Sequence, residues 1–147
     1  MDDPAFSHFG ICVSDLERSV AFYCGALGFE RAESHAIGTE FARLMDLPDV
    51  AVTSQFVRRG PTAIELLAFT APAPFGERER RAVNQLGLTH LSFRVRDVAA
   101  TTARIVALGG AVVESSRTCI DLGGTALEFV YCTDPDGVRV ELMDFGG

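Results

Sequence analysis

An α+β fold made of two tandem β-α-β-β-β modules is what the sequence predicts, on three observations. A stretch beginning at His8, H-F-G-I-C-V-S-D-L-E-R-S-V-A-F-Y-C-G-A-L-G, is echoed by H-L-S-F-R-V-R-D-V-A-A-T-T-A-R-I-V-A-L-G-G beginning at His90. At one constant offset Val13 matches Val95, Asp15 matches Asp97, Ala21 matches Ala103 and Gly28 matches Gly110. The spacing is longer than the ~20–50 residues of solenoid repeats, so it reads as a duplicated half-domain. In both copies period-2 alternation gives way to a helical pattern and then to three short alternating runs. The third observation is size: 147 residues, 48% of them apolar, suffice for the core of one domain.

In chain order, Phe6–Val13 alternates like a half-buried strand. Asp15 then stands where a helix N-cap belongs, because its carboxylate accepts from the orphan N–H groups of a first turn. Leu16, Val20, Tyr23 and Leu27 share one helical face, and Gly28 supplies a C-terminal stop. Strands are expected at roughly Phe29–Ser34, Val50–Arg58 and Ala63–Phe69, with Ala36–Leu47 as an insertion. The second module repeats the order: a strand over Thr89–Val95, a helix capped by Asp97 and ending at Gly109-Gly110, then strands near Ala111–Glu114, Thr125–Cys132 and Val138–Asp144. Arg59-Gly60-Pro61 and Asp134-Pro135-Asp136-Gly137 provide the turn between the last two strands of each module. The chain is thus expected to be a single domain over 1–147, with modules at about 6–69 and 89–145 and a connector at 70–88.

Composition narrows the partners. Thirteen Lys and Arg against 20 Asp and Glu give a net charge of −7, which disfavours nucleic acid and anionic membrane as partners. No apolar run approaches the ~18–20 residues of a bilayer span, and Met1–Ala5 has neither a basic start nor an apolar signal stretch. The four cysteines, Cys12, Cys24, Cys119 and Cys132, form no C-x-x-C pair and read as reduced thiols. A cytoplasmic protein acting on a small molecule is expected.

Four residues stand out against this frame. Glu65 lies within T-A-I-E-L-L-A-F and Glu141 within V-R-V-E-L-M-D-F, each in the last strand of its module. An unpaired buried carboxylate is costly, so both need a compensating partner. His8 and His90 begin the first strand of each module. The economical account is one divalent ion, Ni, Co, Zn, Fe or Mn, held by His8, Glu65, His90 and Glu141; two imidazoles and two carboxylates suit such an ion.

The segments H-F-G-I-C-V-S-D-L-E-R-S-V-A-F-Y, T-A-I-E-L-L, L-T-H-L-S-F-R-V and D-P-D-G-V-R-V-E-L resemble the vicinal oxygen chelate superfamily. That superfamily includes glyoxalase I, methylmalonyl-CoA epimerase, extradiol dioxygenases, and fosfomycin and bleomycin resistance proteins. The resemblance implies that the two modules form a cupped, mixed, mostly antiparallel eight-stranded sheet with the metal in its hollow. It also implies a homodimer.

Coordination arithmetic selects among the family's chemistries. A six-coordinate ion with four protein ligands keeps two open positions, which suits a metal-chelated enediolate or enolate formed by loss of a proton beside a carbonyl. By similarity to glyoxalase I, Glu141 is the candidate base. Dioxygen chemistry on His8, His90 and Glu141 needs a third open position, which Glu65 fills. An isomerase or lyase is therefore expected; a non-haem iron dioxygenase and a drug-sequestering binding protein are the alternatives. Where bacterial glyoxalase I carries Arg and Asn against glutathione, this chain has Cys12 and Phe69, so those contacts have no counterpart here. The start of the chain is more similar to acyl-CoA epimerases, yet Val50–Val57 lacks the carboxylate that would be their second acid/base.

Alternation places Arg94 on the face of His90, where it meets either an anionic substrate group or water, and Cys12 on the face of His8, as pocket lining. Glu128 in A-L-E-F-V-Y faces outward or serves as a second acid/base. The run Glu77–Arg81 is a solvated mixed-charge segment or a contact for phosphates. His35 has no assigned partner.

Overall fold

In a computed structural model, which describes residues 3–146, the two modules appear in the expected element order. The first comprises β1 (Phe9–Cys12), α1 (Leu16–Leu27), β2 (Glu30–Ile37), a 3-10 turn (Thr39–Phe41) leading into the short α2 (Ala42–Met45), β3 (Ala51–Arg59) and β4 (Thr62–Ala71). The second comprises β5 (Leu91–Arg94), α3 (Val98–Ala107), β6 (Ala111–Leu122), β7 (Thr125–Thr133) and β8 (Arg139–Asp144). Each module forms one four-stranded mixed sheet, ordered β1-β4-β3-β2 and β5-β8-β7-β6. The short first strand runs parallel to the last one, and the other pairs are antiparallel.

Local chemistry accounts for the helix ends. Asp15 and Asp97 both have extended backbone and accept, through the carboxylate, from Arg18 N and Ala100 N. Such a cap contributes about 1 kcal/mol to its helix. Gly28 closes α1 at φ 72°, a conformation that a side chain disfavours. Aromatic packing follows at once: Tyr23 lies edge-on to Phe22 and to Phe29.

One face of the first sheet carries Ile11, Val57, Ile64 and Leu66, all buried. In the second module α3 packs on β6, β7 and β8, where Val130, Cys132, Val140 and Leu142 are buried with Ile105 of the helix. Period-2 alternation then sends the intervening residues of β1, β4, β5 and β8, which include both strand glutamates, to the opposite faces.

Two features exceed the sequence expectation. β6 continues to Leu122, well beyond Glu114, because it pairs with β7 through Thr118–Leu122 after a register shift between Val113 and Thr118. Almost every residue of that extension is exposed, so it shows no burial pattern. Ser116 holds the irregularity: its hydroxyl donates to Val113 O and accepts from Tyr131 N. β2 has a matching shift between Arg31 and Ser34, bridged by the buried Gln55 amide, which donates to Ala32 O and Glu33 O.

The second feature is the tethering of the connector's later half. Arg139 donates to Thr89 O at 3.1 Å and also to Arg81 O, while Arg78 pairs with Asp136 at 3.5 Å. Asp134 organises the turn beneath by accepting from Asp136 N and Val138 N. Gly137 has φ 91°, and a Cβ there would lie 2.2 Å from Arg78 O, so only glycine fits beneath this strap. The run Glu77–Arg81 thus spends part of its charge and backbone on the β7–β8 turn.

Burial also separates the thiols. Cys12 and Cys119 are exposed, whereas burial pushes the Cys132 thiol up to about 11. Iodoacetamide at mildly alkaline pH is therefore expected to label Cys12 and Cys119 in the folded chain and Cys132 only after denaturation. The sign for stability follows. Below an ordinary thiol pKa of about 8.5 both states keep the Cys132 proton. Between there and about 11 the unfolded chain loses it first, so stability falls as pH rises through that window. A Cys132→Ala variant, followed by denaturant melts against pH, should lose this alkaline slope.

Candidate metal-binding and catalytic face

The four sequence-selected residues form two matched pairs, one in each module. His8 immediately precedes β1, and its Nε2 lies 3.2 Å from Glu65 Oε2 on β4. His90 immediately precedes β5, and its Nε2 lies 3.4 Å from Glu141 Oε2 on β8. The parallel pairing of first and last strands produces both contacts: Gly10 is opposite Glu65 and Ser92 opposite Glu141, so each histidine, two residues earlier, shares the glutamate's face. All four side chains are partly exposed, the histidines 35% and 27% and the glutamates 17% and 19%.

A hydroxyl from the preceding residue engages the other ring nitrogen of each histidine. Ser7 Oγ is 2.8 Å from His8 Nδ1, and Thr89 Oγ1 is 2.8 Å from His90 Nδ1. With Nδ1–H donating to that oxygen, Nε2 presents its lone pair toward the carboxylate side, as a metal-ligating histidine must. An aromatic ring flanks each imidazole, Phe56 at 5.2 Å from His8 and Tyr131 at 5.6 Å from His90. Thr89 is further held through its carbonyl by Arg139, whose guanidinium also lies 5.4 Å from the Tyr131 ring centre.

The two glutamates differ in how their oxygens are used. Glu65 is engaged on both: Ser54 Oγ donates to Oε1 at 2.5 Å, and His8 stands at Oε2. Glu141 takes both partners on one oxygen, because Ser92 Oγ donates to Oε2 at 2.7 Å and His90 faces the same atom. Its Oε1 has no hydrogen-bond partner among the described residues. Glu141 is one of the residues lining a hollow of about 230 Å³, with Ser116, Thr118, Phe129, Val130 and Tyr131.

The donor set fits a divalent ion. Each pair presents one imidazole nitrogen and one carboxylate oxygen, 3.2 Å apart in the first module and 3.4 Å in the second, donors of the kind that would hold such an ion. Each module contributes one such two-donor set; among the described residues no third His, Cys, Asp or Glu joins either pair.

The weaker candidates fall elsewhere. Cys12 is exposed on the His8 face of β1. Arg94 is exposed on the His90 face of β5, its guanidinium 4.5 Å from the centre of the Phe145 ring. Glu128 pairs with Arg117 of β6, which also binds Glu114, so it is a strand-to-strand ion-pair partner. His35 lies on β2 opposite Ser54, with Phe56 at 6.4 Å. The hydroxyls of Ser7, Thr89, Ser54 and Ser92 and the Tyr131 ring were not singled out from sequence. For Ser7 and Thr89 a signal existed, since a hydroxyl residue precedes each repeat histidine.

Over 138 residues the chain is 33% identical to the uncharacterized protein YaeR of Escherichia coli K12, covering 93% of each. It is 29% identical to the ethylmalonyl-CoA/methylmalonyl-CoA epimerase of Cereibacter sphaeroides, covering 92% of this chain and 94% of that one. The crystal structure of a glyoxalase family protein from Bacillus cereus superposes with a TM-score of 0.84 at 19% identity, over 100% of this chain and 97% of the other, a likeness of fold. The family model described as the glyoxalase/bleomycin resistance protein/dioxygenase superfamily matches residues 5–142.

Proposed function

Because this chain belongs to the glyoxalase/bleomycin resistance protein/dioxygenase superfamily, we propose that it is a metal-dependent isomerase or lyase that removes a proton from a carbon beside a carbonyl. His8, Glu65, His90 and Glu141 would hold one divalent ion. When bound, such an ion supplies Lewis-acid stabilisation of the negative charge that develops on the carbonyl oxygen. The observation that carries this reading is the pair of matched His–Glu sets, each imidazole oriented through Nδ1 by a neighbouring hydroxyl. The epimerase name of one relative agrees with chemistry at an acidic carbon.

Glu141 is the base. Ser92 and His90 restrain it through Oε2, leaving Oε1 to take the proton and return it, on a residue that lines the hollow. Glu65, held on both oxygens, keeps a structural role. Tyr131 and Phe129 line the same hollow and exclude part of the water around the reacting carbon. The protein would act in the cytoplasm on a small molecule and as a homodimer, two-fold closure being the commonest soluble assembly.

Proton exchange tests the reading. The purified chain, loaded in turn with Ni, Co, Zn, Fe(II) or Mn, is incubated in D2O with small acyl-thioesters and with thiol adducts of 2-oxoaldehydes. Loss of the α-proton signal in NMR is expected with at least one metal and only when metal is present. Exchange that is equal without metal overturns the proposal, and so does no exchange alongside tight substrate binding, the behaviour of a sequestering protein.

A further inference from the structure

Resting on that reading, we propose that the substrate ends in a carboxylate, received by Arg94 at the far side of an aromatic floor from Glu141. The register lays out the face row by row. Ser92, Glu141 and Tyr131 are cross-strand neighbours, and the next row is Arg94, Met143, Phe129 and Thr118. Adjacent rows on one face are about 6.7 Å apart along the strand. The Arg94 guanidinium leans one step further, onto Phe145, whose ring lies 6.0 Å from that of Phe129. A ligand reaching from Glu141 to Arg94 therefore crosses a patch made of Met143, Phe129 and Phe145.

Arg94 has the properties of a recognition cation. It makes no hydrogen bond or ion pair among the described residues, and its guanidinium carbon lies 4.5 Å from the Phe145 ring centre, a contact that uses none of the N–H donors and leaves them for a bidentate carboxylate. The other cation near this face, Arg139, is committed to Thr89 O and Arg81 O and is buried. The corresponding position in the first module is the uncharged Cys12, so the feature belongs to the second module alone. A molecule with a reactive carbonyl end, a short apolar body and a terminal carboxylate matches this order of groups.

Two measurements decide the matter, and they separate it from the metal assignment. On metal-loaded protein, calorimetry compares benzohydroxamate, a chelating head on an apolar ring, with 4-carboxybenzohydroxamate. The carboxylate is expected to tighten binding at least about tenfold. Arg94→Gln is expected to erase that ratio while leaving benzohydroxamate unchanged. On metal-free, nitrogen-15-labelled protein, benzoate is expected to shift the Arg94 Nε–H resonance saturably and benzamide is not, with Arg96, exposed two residues along, as internal control. Failure of both hydroxamates to bind counts against the metal and leaves the decision on Arg94 to the benzoate titration. Equal hydroxamate affinities, a ratio that survives in Arg94→Gln, or a benzoate shift at Arg94 no larger than at Arg96 overturns the carboxylate assignment.

Discussion

Glu141→Gln is expected to slow metal-dependent α-proton exchange by about a thousandfold, within the range of about 10²–10⁴ for loss of a general base. The amide is nearly isosteric and its oxygen still accepts from Ser92, so the local packing should survive. What it would lose is the proposed ability to take a proton. Glu65→Gln is the matched control. Both oxygens of Glu65 are occupied, by Ser54 and His8, so an amide there disturbs the hold on the ion without removing a base. Its loss in turnover should be several tens of times smaller and should be relieved by raising the metal concentration, whereas that of Glu141→Gln should not. Near-normal exchange by Glu141→Gln under saturating metal would sink the assignment, as would a deficit that added metal repairs.

The elements of this chain were legible to different degrees for reasons that are physical. Asp15, Gly28 and Asp97 act within one helical turn, so their roles follow from short spacing, and both caps form as expected. Alternation is equally local; it places Glu65 and Glu141 off the hydrophobic faces of β4 and β8, while their apolar neighbours on either side made them stand out as carboxylates inside core strands. The repeat supplied what alternation does not, the linkage of each glutamate to a histidine far away in sequence. Partners set by cross-strand register were out of reach. Ser54 and Tyr131 meet the site only because β3 and β7 pair with β4 and β8 in a particular register. The exposed end of β6 was missed because a strand with water on its faces has no hydrophobic period to detect. Arg94 was legible as a residue on the right face, but its contact with Phe145 depends on the parallel register that sets Arg94 opposite Met143, two residues before that ring.

Metal analysis on His90→Ala and Glu65→Ala should give the second large effect. The native chain is expected to retain about one divalent ion after gel filtration, and each variant close to none. Two imidazole nitrogens and two carboxylates make a four-donor set, and removing one leaves an ion more exposed to water and to competing chelators. An ion that binds the folded chain and not the unfolded one would also stabilise it: at a free concentration one hundred times Kd the gain is about 2.7 kcal/mol. EDTA should therefore lower the Tm of the native chain and leave that of either variant unmoved. The choice of residues makes the outcome specific. His90 and Glu65 come from different modules, paired with Glu141 and His8 respectively. If each His–Glu pair bound its own ion, the native chain would hold two and each variant would keep one. If a single ion needs all four residues, either substitution empties the chain. Retention of metal by both variants at the native level would refute the site altogether, while half-retention would assign separate ions to the two modules.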